Sequence, residues 1–141
     1  MSWLQRQPSL LVRFRKGERP ALAAVYRAYV QKVTDLITFG FTIKSEPPVR
    51  VEGLKDPHVQ LDNLQDVFVK AFAERARMAY DGLRPYGPYL LQIARNLRID
   101  QLRRSGREVL AGEKQVGVEV EAALQGDDPH GVGGTVQPPD P

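Results

Sequence analysis

Apolar positions recur at helical spacing through most of residues 1 to 107, and Gly and Pro divide them into segments. Leu10, Leu11 and Phe14 share the inner face of a short helix that Ser9 is placed to cap; it runs to about Lys16, where Gly17 stops it. Pro20 suits the first turn of a second helix reaching about Ile37. Its apolar stripe is Leu22, Val25, Tyr26, Tyr29, Val33, Leu36 and Ile37. A third helix, capped by Asp62 or Asn63 and ending near Arg77, buries Leu64, Val67, Phe68, Ala71 and Phe72. Asp81-Gly82 and the stretch from Pro85 to Pro88 then break the chain. Tyr89 opens a last helix, 89–104, free of Pro and Gly, with Leu90, Ile93, Ala94 and Leu97 on one face.

Two stretches leave this pattern. In residues 38–60, Phe39, Phe41 and Ile43 alternate with Gly40 and Thr42, and Val49 and Val51 alternate with Arg50 and Glu52. Between them Ser45-Glu46-Pro47-Pro48 forms a break. The alternation reads as a small β-hairpin whose Phe residues must pack on the helices, since isolated hairpins are marginal; an irregular ordered loop is the alternative. Residues 108–141 form an acidic linker or tail with too little apolar content for a core. Its end, from about Gly126, reads as disordered, and Val116, Val118 and Val120 as a short extended segment. The expected fold is therefore all-α: one compact bundle of about four helices over residues 1–107, with 38–60 inserted and a flexible acidic C-terminal tail.

Charge sharpens this division. The formal charge of +3 conceals nineteen Lys and Arg against ten Asp and Glu in residues 1–107, a balance of +9. Residues 108–141 hold one Lys against seven acids, a balance of −6. A basic body fits a polyanion partner, and an acidic tail can mimic or repel one. There is no Cys, which excludes disulfides and Cys-based zinc sites. His58 and His130 lie far apart without a second ligand nearby, and Asp62 and Asp66, four apart, read as surface carboxylates, so no metal or other cofactor is expected. No apolar run is long enough to span a bilayer and the N-terminus lacks a signal peptide pattern, so the reading is cytoplasmic with no membrane partner. No nucleophile–base pair or phosphate-cradling Gly loop is present, and no enzymatic activity is expected.

The last helix carries the most suggestive chemistry. Asn96, Asp100, Arg103 and Arg107 form a stripe at spacings of four, three and four, with Arg98 on nearly the opposite side. Guanidinium forks match phosphates or guanine edges, and an amide can read adenine. The bland alternative is a solvated amphipathic helix.

These residues also carry a resemblance. Ile93-Ala94-Arg95-Asn96-Leu97, then Ile99-Asp100 and Leu102-Arg103-Arg104, resembles region 2.4 of extracytoplasmic-function (ECF) sigma factors. Asp62-Asn63-Leu64-Gln65-Asp66-Val67-Phe68-Val69-Lys70-Ala71-Phe72 resembles their region 2.2, and Leu22 to Leu36 looks like region 2.1. The likeness covers roughly residues 9 to 107 in the expected order. It departs in the longer 38–60 separation, in Tyr where the family often has Phe and Trp (Tyr86 and Tyr89), and in the absence after Arg107 of a pattern for the second DNA-binding domain, region 4. The chain then either ends within an interdomain linker or is a one-domain relative.

The resemblance implies an RNA polymerase sigma factor domain that recognises and melts the promoter minus-ten element in transcription initiation. Its implied partners are the clamp helices of the core RNA polymerase largest subunit and the non-template strand of promoter DNA; it also admits an anti-sigma factor. Polymerase contacts would map to Asp62, Gln65, Asp66, Val69 and Lys70, where Asp66 could instead be a merely solubilising acid. Tyr80, Tyr86 and Tyr89 would offer faces to a flipped base, at about 1–3 kcal/mol per stacked base, unless they simply pack the Pro-rich turn. Arg95, Asn96, Arg98, Gln101, Arg103, Arg104 and Arg107 would contact DNA, with Asp100 orienting Arg103 or Arg104 and with Arg95 or Arg98 as an internal salt-bridge partner in the alternative. Two rival functions remain open: a sigma-like DNA-binding regulator without initiation activity, and a helical protein-interaction module.

Overall fold

The computed structural model describes residues 2–108. In chain order its elements are α1 (Pro8–Arg15), α2 (Arg19–Phe39), β1 (Phe41–Ile43), β2 (Val49–Val51), α3 (Pro57–Phe72), α4 (Glu74–Ala79) and α5 (Tyr86–Glu108). The fold is mostly helical, with one two-stranded antiparallel hairpin. The expectations for the tail beyond Glu108 lie outside the described residues.

Burial explains α2 directly. Ala21, Val25, Tyr29, Val33 and Ile37 fall every four residues and are all buried, so one continuous stripe faces the core. Pro20 sits in the first turn, where its missing N–H costs nothing. The helix outruns its expected end by two residues and stops at Gly40, which takes φ +80° while its N–H reaches Leu36 O.

Helix starts were the least legible part of the sequence. α1 begins at Pro8, not at a Ser9 cap: proline's fixed φ suits the first helical position, and Gln7 takes the cap position without a side-chain bond. α3 begins at Pro57, well before Asp62 and Asn63. Its cap is Asp56, whose carboxylate accepts from the His58 N–H at 2.8 Å. Residues 57–61 have no buried stripe, and Val59 and Leu61 are exposed, so periodicity could not reveal this turn. Asn63 is instead buried mid-helix and donates to Gln101 Oε1 at 2.9 Å, tying α3 to α5.

The third helix is also broken. Ala73 leaves the helical region (φ −63°, ψ 150°) and α4 restarts at Glu74. Arg77 holds the junction. Its Nε donates to Phe72 O at 2.8 Å and its Nη1 to Arg15 O at 2.6 Å, so one cation serves the C-terminal ends of α3 and α1. α5 starts at Tyr86 rather than Tyr89, with Pro88 tolerated in its first turn.

The core joins α1, α2, α3, α4 and α5 around a chain of rings. Tyr26 meets Phe68, Phe68 meets Phe72, Phe72 meets Phe14, and Phe14 meets Tyr86. Leu4, ahead of α1, is fully buried in the same cluster. Nearby, Gln5 Nε2 donates to Leu83 O at 2.6 Å, which pins the N-terminus to the loop before α5. The hairpin, with register Phe41↔Val51, Thr42↔Arg50 and Ile43↔Val49, builds a second small core with Ile99 of α5, flanked by Leu36 and Leu102. Packing on helices is thus what allows so short a hairpin to form. Phe41 contributes to it, whereas Phe39 ends α2 largely exposed.

Candidate functional site

The arginines of α5 differ in what already holds them. Arg95 is half-buried; desolvation alone lowers its pKa below the ordinary arginine value, and its guanidinium has no hydrogen-bond or ion-pair partner among the described residues. Arg98 is also half-buried, with its pKa lowered by burial, and its Nη1 donates to Gln101 Oε1 at 3.1 Å. That oxygen also accepts from Asn63, so Gln101 links two donors inside the fold and its carbonyl does not face a DNA base. Neither Arg95 nor Arg98 forms an internal salt bridge among the described residues.

Further along, Asp100 does orient an arginine. Its Oδ1 lies 3.6 Å from Arg103 Nη1, one turn away. Arg104 is exposed, with its Nε 3.5 Å from Asp100 O, at the limit of a hydrogen bond. The Arg107 side chain lies outside the described residues. Asn96 does not join a surface stripe: it is only 5% exposed, and its Oδ1 accepts from Gln92 Nε2 at 2.9 Å. Asn96 therefore has no path to an adenine edge in this structure.

The three tyrosines require the larger correction. Tyr80, Tyr86 and Tyr89 are 0%, 1% and 4% exposed, and Tyr86 stacks edge-on against Phe14, Tyr29 and Tyr80. Their faces are consumed by one another, so none is offered to a flipped base here. Tyr80 OH donates to Arg84 O at 2.6 Å and Tyr89 OH to Ala76 O at 2.8 Å, while the Arg84 guanidinium lies 4.7 Å over the Tyr89 ring. The hydroxyls of Tyr29 and Tyr86 are buried without partners among the described residues.

Burial is the main reason that Tyr80 is pushed up to about 12 from 10.0, with Tyr29 and Asp81 adding to it and Arg84 opposing. Tyr86 and Tyr89 are raised in the same direction, again first by burial. A raised phenol supports stability that is complete below pH 10.0 and lost as the pH climbs towards the folded value near 12. Base-induced unfolding should therefore track tyrosine ionisation in a combined circular dichroism and ultraviolet titration. Phenol ionisation near pH 10 with the fold intact would show the rings to be solvent-accessible.

What the 81–85 turn does expose is aliphatic and charged. Asp81 Oδ1 accepts from the N–H of Leu83 at 2.8 Å and from that of Arg84 at 3.3 Å, which holds its carboxyl below the ordinary carboxylate value. Leu83 projects from this turn and is 83% exposed. No periodicity marks a lone leucine in a turn, so the sequence pattern does not point to Leu83.

A second surface lies between α2 and α3. Leu22, Ala23, Tyr26 and Arg27 form one wall and Leu64, Gln65, Phe68, Val69 and Phe72 the other, around an open groove of about 560 Å³. Of the residues expected to meet a protein partner, Gln65 and Val69 line it. Val69 is 72% exposed, Asp62 and Asp66 are exposed on the same helix, and Lys70 is half-buried. Three further residues belong to this surface. Leu61 is exposed one turn before Gln65, and Leu22 and Tyr26 were assigned wholly to the core. The signal was present: the apolar stripe of α2 is wider than one core-facing edge needs.

Among the described residues no group of three His, Cys, Asp or Glu could hold a metal ion, and no helix is long and apolar enough to cross a membrane. No family model matches the chain, and no curated protein or solved structure matches it.

Proposed function

We propose that this chain is an ECF-type sigma factor domain that docks on core RNA polymerase through the α2–α3 groove and holds promoter DNA with the arginines of α5. The observation that carries the proposal is the groove itself. The segment resembling region 2.2 places Gln65 and Val69 along an apolar trough, with Leu61 exposed one turn earlier on the same helix and the carboxylates of Asp62 and Asp66 exposed on it too. An amphipathic helix with basic residues at its edge is the complementary partner, since apolar anchors fill such a trough and the carboxylates select for cations. The clamp helices of the polymerase largest subunit are the partner that the resemblance supplies.

Val69→Asp and Asp66→Arg should each weaken retention of core polymerase by about tenfold, a loss of about 1.4 kcal/mol, with unchanged circular dichroism. Both residues are exposed, so the fold should not suffer. Equal polymerase retention by both variants would remove the groove assignment.

One observation favours a second reading, a sigma-like DNA binder without strand opening. With Tyr80, Tyr86 and Tyr89 in the core, α5 offers backbone-type contacts from Arg95, Arg98, Arg103 and Arg104 and no stacking face. Equal affinity for forked and duplex DNA, combined with no polymerase retention, would select that reading.

A further inference from the structure

Residues 95–107 contain five arginines, Arg95, Arg98, Arg103, Arg104 and Arg107, and a single acid, Asp100. Asp100 is engaged by Arg103. Arg95 is desolvated and has no partner among the described residues, so the bundle itself does not offset the cost of holding its charge. The helix that bears these groups leads directly into the most acidic part of the chain. After Glu108, residues 109–141 carry Glu113, Glu119, Glu121, Asp127, Asp128 and Asp140 against Lys114 alone.

We infer that this acidic segment is an internal ligand of the arginine-bearing end of α5, occupying the surface that an external polyanion would take. The inference rests on the reading of α5 as a polyanion-binding helix and adds what covers it in the free protein. Geometry permits the contact. Arg95 lies thirteen residues before Glu108, roughly 20 Å along the helix at about 1.5 Å per residue. Glu119 follows Glu108 by eleven residues and reaches about 36 Å when extended. Glu119 and Glu121 are therefore within range of all five arginines, and Glu113, at about 17 Å, of those nearer the helix end. A short tether holds those carboxylates at an effective concentration on the order of millimolar, so weak individual pairs suffice. Such a contact needs no fixed conformation, because charge balance rather than shape provides it.

The consequence is competition. Nucleic acid must displace the segment, which lowers apparent affinity and discriminates against weakly bound sequences. Screening should release the segment, since the Debye length falls from about 10 Å at 0.1 M salt to about 3 Å at 1 M.

The full-length chain permits two tests. Because the chain has no Cys, Val120→Cys gives a unique site for a nitroxide label. At low salt the label should broaden amide signals of residues 95–105, and salt on the order of 1 M should restore them. Separately, the variant combining Glu113→Gln, Glu119→Gln, Glu121→Gln, Asp127→Asn and Asp128→Asn should bind forked DNA about tenfold more tightly at low salt, converging with the parent at high salt. No broadening, or equal low-salt affinity of parent and variant, would overturn the inference while leaving DNA binding by α5 intact. If neither chain binds DNA, the polyanion reading of α5 falls, and the label alone then decides whether the segment lies there.

Discussion

Tyr86→Ala should cost the domain about 3–5 kcal/mol of stability, the range for truncating a buried aromatic to Ala. The ring centroid lies 5.4 Å from Phe14, 5.2 Å from Tyr29, 5.0 Å from Tyr80 and 5.9 Å from Tyr89, so the truncation removes a partner from four rings at once. Domains of this size are stable by about 5–15 kcal/mol, and a loss of this magnitude should be plain in a urea melt. Tyr86→Phe makes the opposite test. It keeps the ring and removes a buried hydroxyl that has no partner among the described residues, so stability should hold or rise by about 1 kcal/mol. The pair separates core packing from base capture. A stacking residue at the surface would lose DNA affinity on substitution by Ala while its melting curve stayed where it was.

The same ring shows where sequence reading reached its limit. Tyr80, Tyr86 and Tyr89 stand in a Pro- and Gly-rich stretch, and such stretches usually lie at the surface. Tyr86 is buried by contacts with Phe14, seventy-two residues earlier, and with Tyr29, and Tyr80 and Tyr89 pack on Tyr86 in turn, which no local pattern encodes. Asn96 misled for a related reason. The helical stripe through Asn96, Asp100 and Arg103 is real, but α5 is packed on several sides, by α2, by α3 and by the hairpin, so a polar stripe need not face water. By contrast, Val25, Tyr29, Val33 and Ile37 of α2 and the set Val67, Phe68 and Ala71 of α3 were legible, because a single stripe against a single core is what periodicity reports. The groove between α2 and α3 was half legible. Its α3 rim follows from residues left over after the core is assigned, but its depth depends on how far apart two helices sit.

The hairpin was legible as an alternation, yet what fastens it lies outside the alternating residues. An ideal Cβ at Gly53 would fall 1.9 Å from Thr38 O and 2.5 Å from Thr38 C, both backbone atoms at the end of α2. One at Gly40 would fall 2.2 Å from Val51 O. The chain thus leaves α2 and returns from β2 with backbone against backbone, and the adjacent Leu54 N–H closes the contact on Ile37 O at 2.9 Å. Gly53→Ala cannot be accommodated by rotating a side chain, because the opposing atoms belong to the main chain. The expected cost is about 3 kcal/mol, the upper part of the usual range for overpacking. The loss should be local, since Phe41, Ile43 and Val51 form a cluster separate from the main core. Hydrogen exchange should accelerate at residues 41–43 and 49–51 while amides of α2 around Val25 and Tyr29 keep their protection. Uniform acceleration throughout the bundle would mean that the hairpin and the helices fold as one unit. Unchanged exchange at the strands would mean that the two chain passes lie farther apart in solution than this close backbone approach requires.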